Sequence, residues 1–453
     1  MSNLNNTPRS VRTHIGFFGK RNSGKSSLIN AITQQNTAIV SAQKGTTTDP
    51  VYKSIEILPI GPCELIDTAG LDDEGDLGEL RIAKTIEILN KTDIAIYVVD
   101  ASIGLDKVDE EIIDRIKDKN IPIIICYNKS DTSTTQSNTI ISELLPSIFK
   151  PETTSPTIQS ETTSSAVKPE TRPSIIESDS ISSAIKSVSV SSLTGKGITE
   201  LKQAIISVVA KDIDQFRIVG DLINPGDLVV LVTPIDKAAP KGRLILPQQQ
   251  VIRDILESDA IGIITKEHEL RHTLDSLVIK PRLVVTDSQV FLKVSADTPK
   301  DVWLTSFSIL FARDKGDLNE MVKGAAQIDK LRDGDKILIA EGCTHHQQSD
   351  DIGHVKIPRW LREKTGKELD FDYASGISYG DDITKYALIV HCGACMLNQK
   401  EMQSRINLAK ENKIPIVNFG VLIAYVQGIL GRVLEPFPLA KMIWDEHQEV
   451  NAN

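Results

Sequence analysis

The sequence predicts an α/β protein of three domains, the first with a doubly wound, mostly parallel sheet, and two patterns carry that prediction. Short apolar runs of strand length alternate with helical stretches along most of the chain. Chemistry-bearing residues follow directly after several of those runs, where the carboxyl ends of parallel strands meet their ligands. The clearest cases are His14–Phe18 before a glycine-rich loop, Lys336–Ala340 before Cys343-Thr344-His345, and Ala387–Val390 before His391-Cys392-Gly393-Ala394-Cys395. At 453 residues the chain accommodates about three such units. We place them at 1–210, 211–300 and 301–453.

Composition narrows the function classes. With 40% hydrophobic and 25% charged residues the chain is ordinary globular material, and a net charge of −10 without a basic run opposes nucleic-acid binding through phosphate contacts. The N-terminus, MSNLNNTPRSVRTH, holds no apolar signal core. The most apolar long stretch, Ile414–Leu430, is interrupted by Pro415, Asn418 and Gln427, so it reads as a buried strand and helix rather than a membrane span. Five cysteines without a visible signal fit a reducing compartment, and a cytoplasmic location is expected.

The first domain reads as a GTP site. Gly19-Lys20-Arg21-Asn22-Ser23-Gly24-Lys25-Ser26 is a complete P-loop between a strand and the helical stretch Ser27–Ile32. Its glycines let backbone N–H groups wrap a phosphate, Lys25 reaches the β and γ oxygens, and the Ser26 hydroxyl ligates magnesium. Asp67-Thr68-Ala69-Gly70 follows the strand at Cys63–Ile66, placing Asp67 behind the magnesium and the Gly70 N–H near the γ-phosphate. Asn128-Lys129-Ser130-Asp131 follows Ile121–Cys126, and the Asp131 carboxylate can accept from guanine N1 and N2. Ser191-Ser192-Leu193 after Lys186–Val190 completes a base pocket. Any one of these could be turn chemistry, but all four in this order specify guanine.

The segment Gly16–Ala210 resembles the TrmE/Era-like GTPases of the translation-factor class. That resemblance implies a magnesium-ligating threonine at Thr47 of Gly45-Thr46-Thr47-Thr48-Asp49, and a potassium-binding asparagine at Asn22. Leu71 stands where Ras-like enzymes hold a water-orienting glutamine, so the resemblance implies slow intrinsic hydrolysis raised by potassium. Glu79 has the spacing of a relative's water-orienting glutamate, with Asp72, Asp73 and Glu74 as competitors. Cys63 and Cys126 read as buried strand thiols. The Ser/Thr/Pro-rich segment 132–185 cannot bury a core and is expected to be a disordered insertion.

Residues 211–300 alternate strand-like runs (Leu228–Val232, Ile261–Ile264, Leu283–Val285, Val290–Val294) with helical ones (Pro247–Glu257, Glu267–Leu274) and carry no catalytic constellation. His268 and His272 stand four apart without a third ligand, the mark of a solvated helix face. An interaction or dimerisation role is what remains.

The last domain concentrates the soft ligands. A strand at Leu304–Phe311 is expected to open it. Cys343, Cys392 and Cys395 converge if the strands before them are neighbours, and three thiolates suit either zinc or an iron–sulfur cluster. A 4Fe–4S cluster wants a fourth ligand, for which His345, His391, Asp350, Asp351 or an exchangeable group are the candidates.

The order CxH…HCxxC behind a GTPase and a chemistry-free α/β domain resembles one family over essentially the whole chain, the GTPase maturation factor of FeFe-hydrogenase. The residues that carry this are Cys343-Thr344-His345, His391-Cys392-Gly393-Ala394-Cys395 and Asp67–Leu71 with Asp72-Asp73-Glu74-Gly75. The resemblance implies a homodimeric scaffold with GTPase, dimerisation and 4Fe–4S domains. Such a protein receives a di-iron precursor from radical-SAM enzymes and passes it to the hydrogenase apoprotein, with no nucleic-acid or membrane partner. The insertion departs from compact members. The competing expectation is an RNA-modification or ribosome-assembly GTPase with a structural zinc.

Overall fold

The computed structural model describes residues 7–33, 50–68, 84–132, 185–209, 217–235, 244–342, 351–376, 379 and 382–452. The first sheet is built from β1 (Thr13–Phe18), β2 (Val51–Ile57), β3 (Gly61–Asp67), β4 (Ile94–Asp100), β5 (Ile123–Asn128) and β6 (Lys186–Ser189), in the order β2-β3-β1-β4-β5-β6. Only β2 and β3 run antiparallel. β4 and β5 are almost continuous Ile, Val and Tyr and are buried except at Asp100, as strands covered by helices on both faces must be. The covering helices are Lys25–Thr33, Lys107–Asp118 and Ile198–Val209. The insertion expected at 132–185 falls outside the described residues except at its two ends.

The second sheet contains β7 (Leu228–Val232), β8 (Ile261–Thr265), β9 (Leu283–Thr286) and β10 (Trp303–Ser306), in the order β10-β9-β7-β8 and all parallel. Two expectations are corrected here. Val290–Val294 is not a strand; its apolar residues enter the helix Phe291–Asp297. The strand expected at Leu304–Phe311 is instead β10 followed by the helix Phe307–Asp314, and β10 belongs to the second sheet rather than opening the third. Ser306 decides the break, because its side chain accepts from Ile309 N and caps the helix. An apolar run alone does not separate a buried strand from a buried helix. The second sheet thus reaches beyond residue 300.

The third sheet holds β11 (Lys336–Glu341), β12 (Asp370–Ser375), β13 (Leu388–His391) and β14 (Ile416–Asn418), in the order β12-β11-β13-β14, again all parallel. β11 and β13 are direct neighbours, with Ala340 opposite His391, so the segments before Cys343 and Cys392 leave the same sheet edge side by side. β12 was not foreseen; it is an edge strand, largely half-exposed, with polar residues between its apolar ones. The second and third sheets share one apolar core that includes Phe311, Leu338, Val390 and Leu422. Among the described residues, no helix is long and apolar enough to cross a membrane.

Candidate functional site

At the carboxyl end of β1 the P-loop takes the conformation its glycines permit. Gly19 has φ 134°, and a Cβ there would lie 2.3 Å from Val98 O. Gly24 has φ 93°, and its Cβ would lie 2.2 Å from Asn128 Nδ2. Both positions exclude a side chain. Asn22 is held at φ 62°, a left-handed conformation that asparagine tolerates. Lys25 Nζ donates to Gly19 O and Lys20 O, each at 2.8 Å, so its ammonium sits inside the loop's curl. Ser23 is buried, and Ser27 is exposed one turn into the helix.

Ser26 Oγ donates to Asp67 Oδ2 at 2.5 Å. The second carboxylate oxygen, Oδ1, is buried and has no hydrogen-bond partner among the described residues. Burial raises the Asp67 carboxyl above its usual range, against the pull of Ser26, Lys25 and Lys53. A desolvated carboxylate beside a hydroxyl, with an unmatched oxygen and a lysine close by, fits a magnesium site.

The guanine side is cross-braced by Asn128. Its Nδ2 donates to Ser23 O at 3.0 Å, and its Oδ1 accepts from Ser192 N at 3.1 Å. One buried side chain therefore ties the P-loop to the Ser191-Ser192 loop. Ser191 Oγ donates to Asp131 Oδ1 at 2.5 Å, fixing the carboxylate that would read the base. Lys129, at φ 62°, pairs with Asp100 Oδ2 at 2.7 Å. The motif reading missed Lys20, whose ammonium pairs with Asp106 and, at 3.1 Å, with Asp109 and so braces the P-loop's outer side. Thr47, Gly70 and Glu79, with Asp72, Asp73 and Glu74, lie outside the described residues.

At the edge of the third sheet, Cys392 N donates to Ala340 O at 2.9 Å and Gly342 N donates to Cys392 Sγ at 3.1 Å. Burial pushes the Cys392 thiol up, while the N–H groups of Gly342 and Ala394 pull it down. The turn that follows is pinned from below by Lys315. Its Nζ donates to Leu397 O at 2.8 Å and to Ala394 O and Cys395 O at 3.3 Å each. Burial lowers the Lys315 pKa, and nearby Asp314, Cys395 and Cys392 oppose that shift. Backbone donors and a buried ammonium both favour sulfur in its thiolate form, and a bound cation would overcome the remaining cost of desolvation. The donor set therefore fits a thiolate-held metal group. Cys343, His345 and Asp350 lie outside the described residues, although β11 ends directly before them. Asp351 is described and caps a helical turn with its side chain.

His391 departs from its expected role as a ligand. It is fully buried, with Nδ1 2.8 Å from Cys392 O and Nε2 2.9 Å from Arg405 Nη1. Burial and the neighbouring guanidinium pull its pKa down to about 3. The neutral ring therefore donates from Nδ1 and accepts at Nε2, which leaves no lone pair for a metal. It orients the cysteine turn instead. Burial pushes Cys63 and Cys126 up to about 12, as core thiols should be. His268 and His272 are exposed.

The cysteine turn also touches the first domain, a contact with no signal in the sequence. Ser10 Oγ donates to Cys395 O at 2.8 Å. Asn398 caps the helix Gln399–Glu411 through Oδ1, which accepts from Glu401 N at 2.9 Å. Its Nδ2 donates to Lys91 O at 2.7 Å and meets His14 Nδ1 at 3.1 Å.

Fold and site define a P-loop GTPase followed by two further parallel α/β domains. The family model of the 50S ribosome-binding GTPase matches residues 14–129, the hydrogen maturase F dimerization domain matches 218–316, and the hydrogen maturase F tetramerization domain matches 319–436. The chain belongs to the hydrogen maturase F family, and it carries the domains named for that family's dimerization and tetramerization behind a GTPase domain. Two curated relatives are each similar over less than a third of this chain. The tRNA modification GTPase MnmE of Desulforamulus reducens is 43% identical over 116 residues, 25% of this chain and 24% of that protein. GTPase Der of Campylobacter jejuni is 35% identical over 139 residues, 30% of each chain. The match thus spans under a third of either relative. Among solved structures, a point variant of Aquifex aeolicus Era bound to GDP·AlF4⁻ is 19% identical, covering 55% of this chain and 91% of that one, with a TM-score of 0.34.

Proposed function

We propose that the chain is a GTP-hydrolysing scaffold that holds a 4Fe–4S cluster on Cys343, Cys392 and Cys395 and carries a di-iron precursor to an apo FeFe-hydrogenase. The observation that carries this reading is the pairing of β11 with β13. It brings the two cysteine-bearing segments to one edge, where Gly342 N and Lys315 stabilise sulfur anions. When bound, a cluster held by three thiolates would offer one iron without a cysteine ligand, a position at which another metal unit can attach and leave. His391 fixes the turn, Lys315 holds its carbonyls, and the fourth position goes to His345, Asp350, Asp351 or an exchangeable group.

In the first domain Lys25, Ser26, Thr47 and Asp67 would hold the phosphates and magnesium, while Asn128, Lys129, Asp131, Ser191 and Ser192 hold guanine. Gly70 would meet the γ-phosphate and Glu79 orient water. Potassium at Asn22 would raise a slow rate, and GTP turnover would change contacts with radical-SAM partners and the hydrogenase. The cytoplasm is the proposed location and the homodimer the proposed unit.

Anaerobic reconstitution with iron and sulfide, followed by metal analysis and EPR of the reduced protein, tests the cluster. A cubane signal is expected, lost in each of Cys343→Ser, Cys392→Ser and Cys395→Ser and kept in Cys63→Ser and Cys126→Ser. Stoichiometric zinc without that signal would favour the structural-zinc GTPase instead. That second reading is supported by relatives such as the tRNA modification GTPase MnmE, which match about a quarter of this chain.

A further inference from the structure

Beside the cysteine edge lies a second group of donors, of which the scaffold reading names only Asp351, as one of several candidates for the cluster's fourth position. Glu341 ends β11, and Asp351 and His354 stand at the turn Ile352–Lys356. Their ligand atoms all lie within 4.8 Å of one another, and His354 Nε2 is 3.8 Å from Glu341 Oε2. The geometry points to a divalent transition-metal site formed by Glu341, Asp351 and His354, separate from the thiolates and suited to an ion of the ferrous or zinc class.

Three features build the site. Gly353 sits under both carboxylates: a Cβ there would lie 2.6 Å from Glu341 Oε1 and 3.5 Å from Asp351 Oδ1, so a side chain at this position would push the Glu341 carboxylate from its present place. The His354 ring is stacked on Tyr373 of β12 with centroids 4.2 Å apart and planes 14° off parallel, which restricts its orientation. Asp351 Oδ1 accepts from His354 N at 2.9 Å, tying two of the donors to one turn. The turn itself is a π-helical one, a form that recurs at functional positions.

One imidazole and two carboxylates form an intermediate donor set, harder than three thiolates and softer than an all-oxygen calcium cage. Donors bound at about 2.1 Å stand roughly 3.0–3.4 Å apart in octahedral or tetrahedral geometry. Closing the observed separations therefore requires side-chain movement of about an ångström, within rotamer adjustment and without backbone change. The three residues supply three ligands, and water completes the coordination. The ordinary alternative is a His354–Glu341 ion pair, which has no need of Asp351.

Cobalt(II) is the probe, because its visible absorption distinguishes nitrogen and oxygen ligands from the intense bands given by thiolates. The full chain carrying Cys343→Ser, Cys392→Ser and Cys395→Ser is first saturated with Mg·GDP and then titrated anaerobically. The expected result is one cobalt per chain without thiolate bands, bound at least tenfold more weakly after His354→Gln or Asp351→Asn. Equal affinity in those variants, or no cobalt bound by a folded triple-serine chain, overturns the site. Should the serine variants fail to fold, the same comparison is made by zinc competition on cluster-loaded wild type against His354→Gln. The cluster reading fails if reconstituted wild type gives no cubane EPR signal, and this one if the cobalt difference is absent, so the two failures are distinguishable.

Discussion

Gly24 shows how one residue type supports the nucleotide site. With φ at 93° and Asn128 Nδ2 2.2 Å from the place of a Cβ, alanine there incurs both backbone strain and a clash with the brace of the base pocket. Overpacking and left-handed strain together cost about 3 kcal/mol, so Gly24→Ala should lose more than about a hundredfold in GDP affinity by calorimetry. Unchanged affinity would mean that Asn128 does not brace the loop. Glu401 gives a residue-scale pH prediction. Burial raises its pKa above 4.5, outweighing Arg405, Lys91 and His14, which pull it down. A raised carboxyl means the folded state holds its proton longer, so its contribution to stability declines as pH rises through 4.5 towards the folded value. Glu401→Gln should therefore match wild type in Tm below pH 4.5 and exceed it at neutral pH. A Tm gap that narrows with rising pH would contradict this.

At the scale of elements, β8 stands out because it is an edge strand that leaves apolar residues exposed. Ile261 and Ile264 are each 50% exposed on an unpaired edge, in a sheet matched by a dimerization domain. Native sheets protect such edges or pair them. Ile261→Lys with Ile264→Lys should shift the chain to a smaller assembly in light scattering while leaving GTP binding intact; an unchanged mass would place the interface elsewhere. Strands β1, β3, β5, β7, β9, β11 and β13 were legible in the sequence because covered parallel strands read as short apolar runs, whereas β4 was not singled out. The run Leu304–Phe311 misled, because burial makes a helix equally apolar and only the Ser306 cap marks the change. β12 went unread because it is an edge strand whose Phe371 and Tyr373 alternate with aspartates, so it forms no apolar run of the kind that marks a covered parallel strand.

At the scale of the whole molecule, the cysteine turn rests on the GTPase domain through Ser10, His14 and Lys91. Lys91 stands in the turn that closes the helical stretch 84–89, which follows the segment 69–83 after Asp67-Thr68. From His14, β1 runs to the P-loop, about 15 Å of rigid strand. Asn398 joins both to the helix behind Cys395. Coupling between two sites is reciprocal, so a cluster that GTP influences must alter GTP affinity by the same factor. We expect GTP affinity in cluster-loaded and cluster-free wild type to differ by about fivefold or more, the lower end of usual coupling. Asn398→Ala should bring that ratio near one with each form still binding GTP; a ratio that survives would assign the coupling to another contact.

The P-loop and the guanine loop were legible in the sequence alone, because phosphate and guanine each demand particular residue types at short, local spacings. The role of His391 was not, since a histidine beside a cysteine reads as a ligand until Arg405, fourteen residues on, is seen to occupy its second nitrogen. Lys315, Asn398 and the Glu341–Asp351–His354 group were equally silent in the sequence. Their partners lie on other strands, other turns or another domain, and only the packing of parallel sheets brings such distant side chains within hydrogen-bond reach.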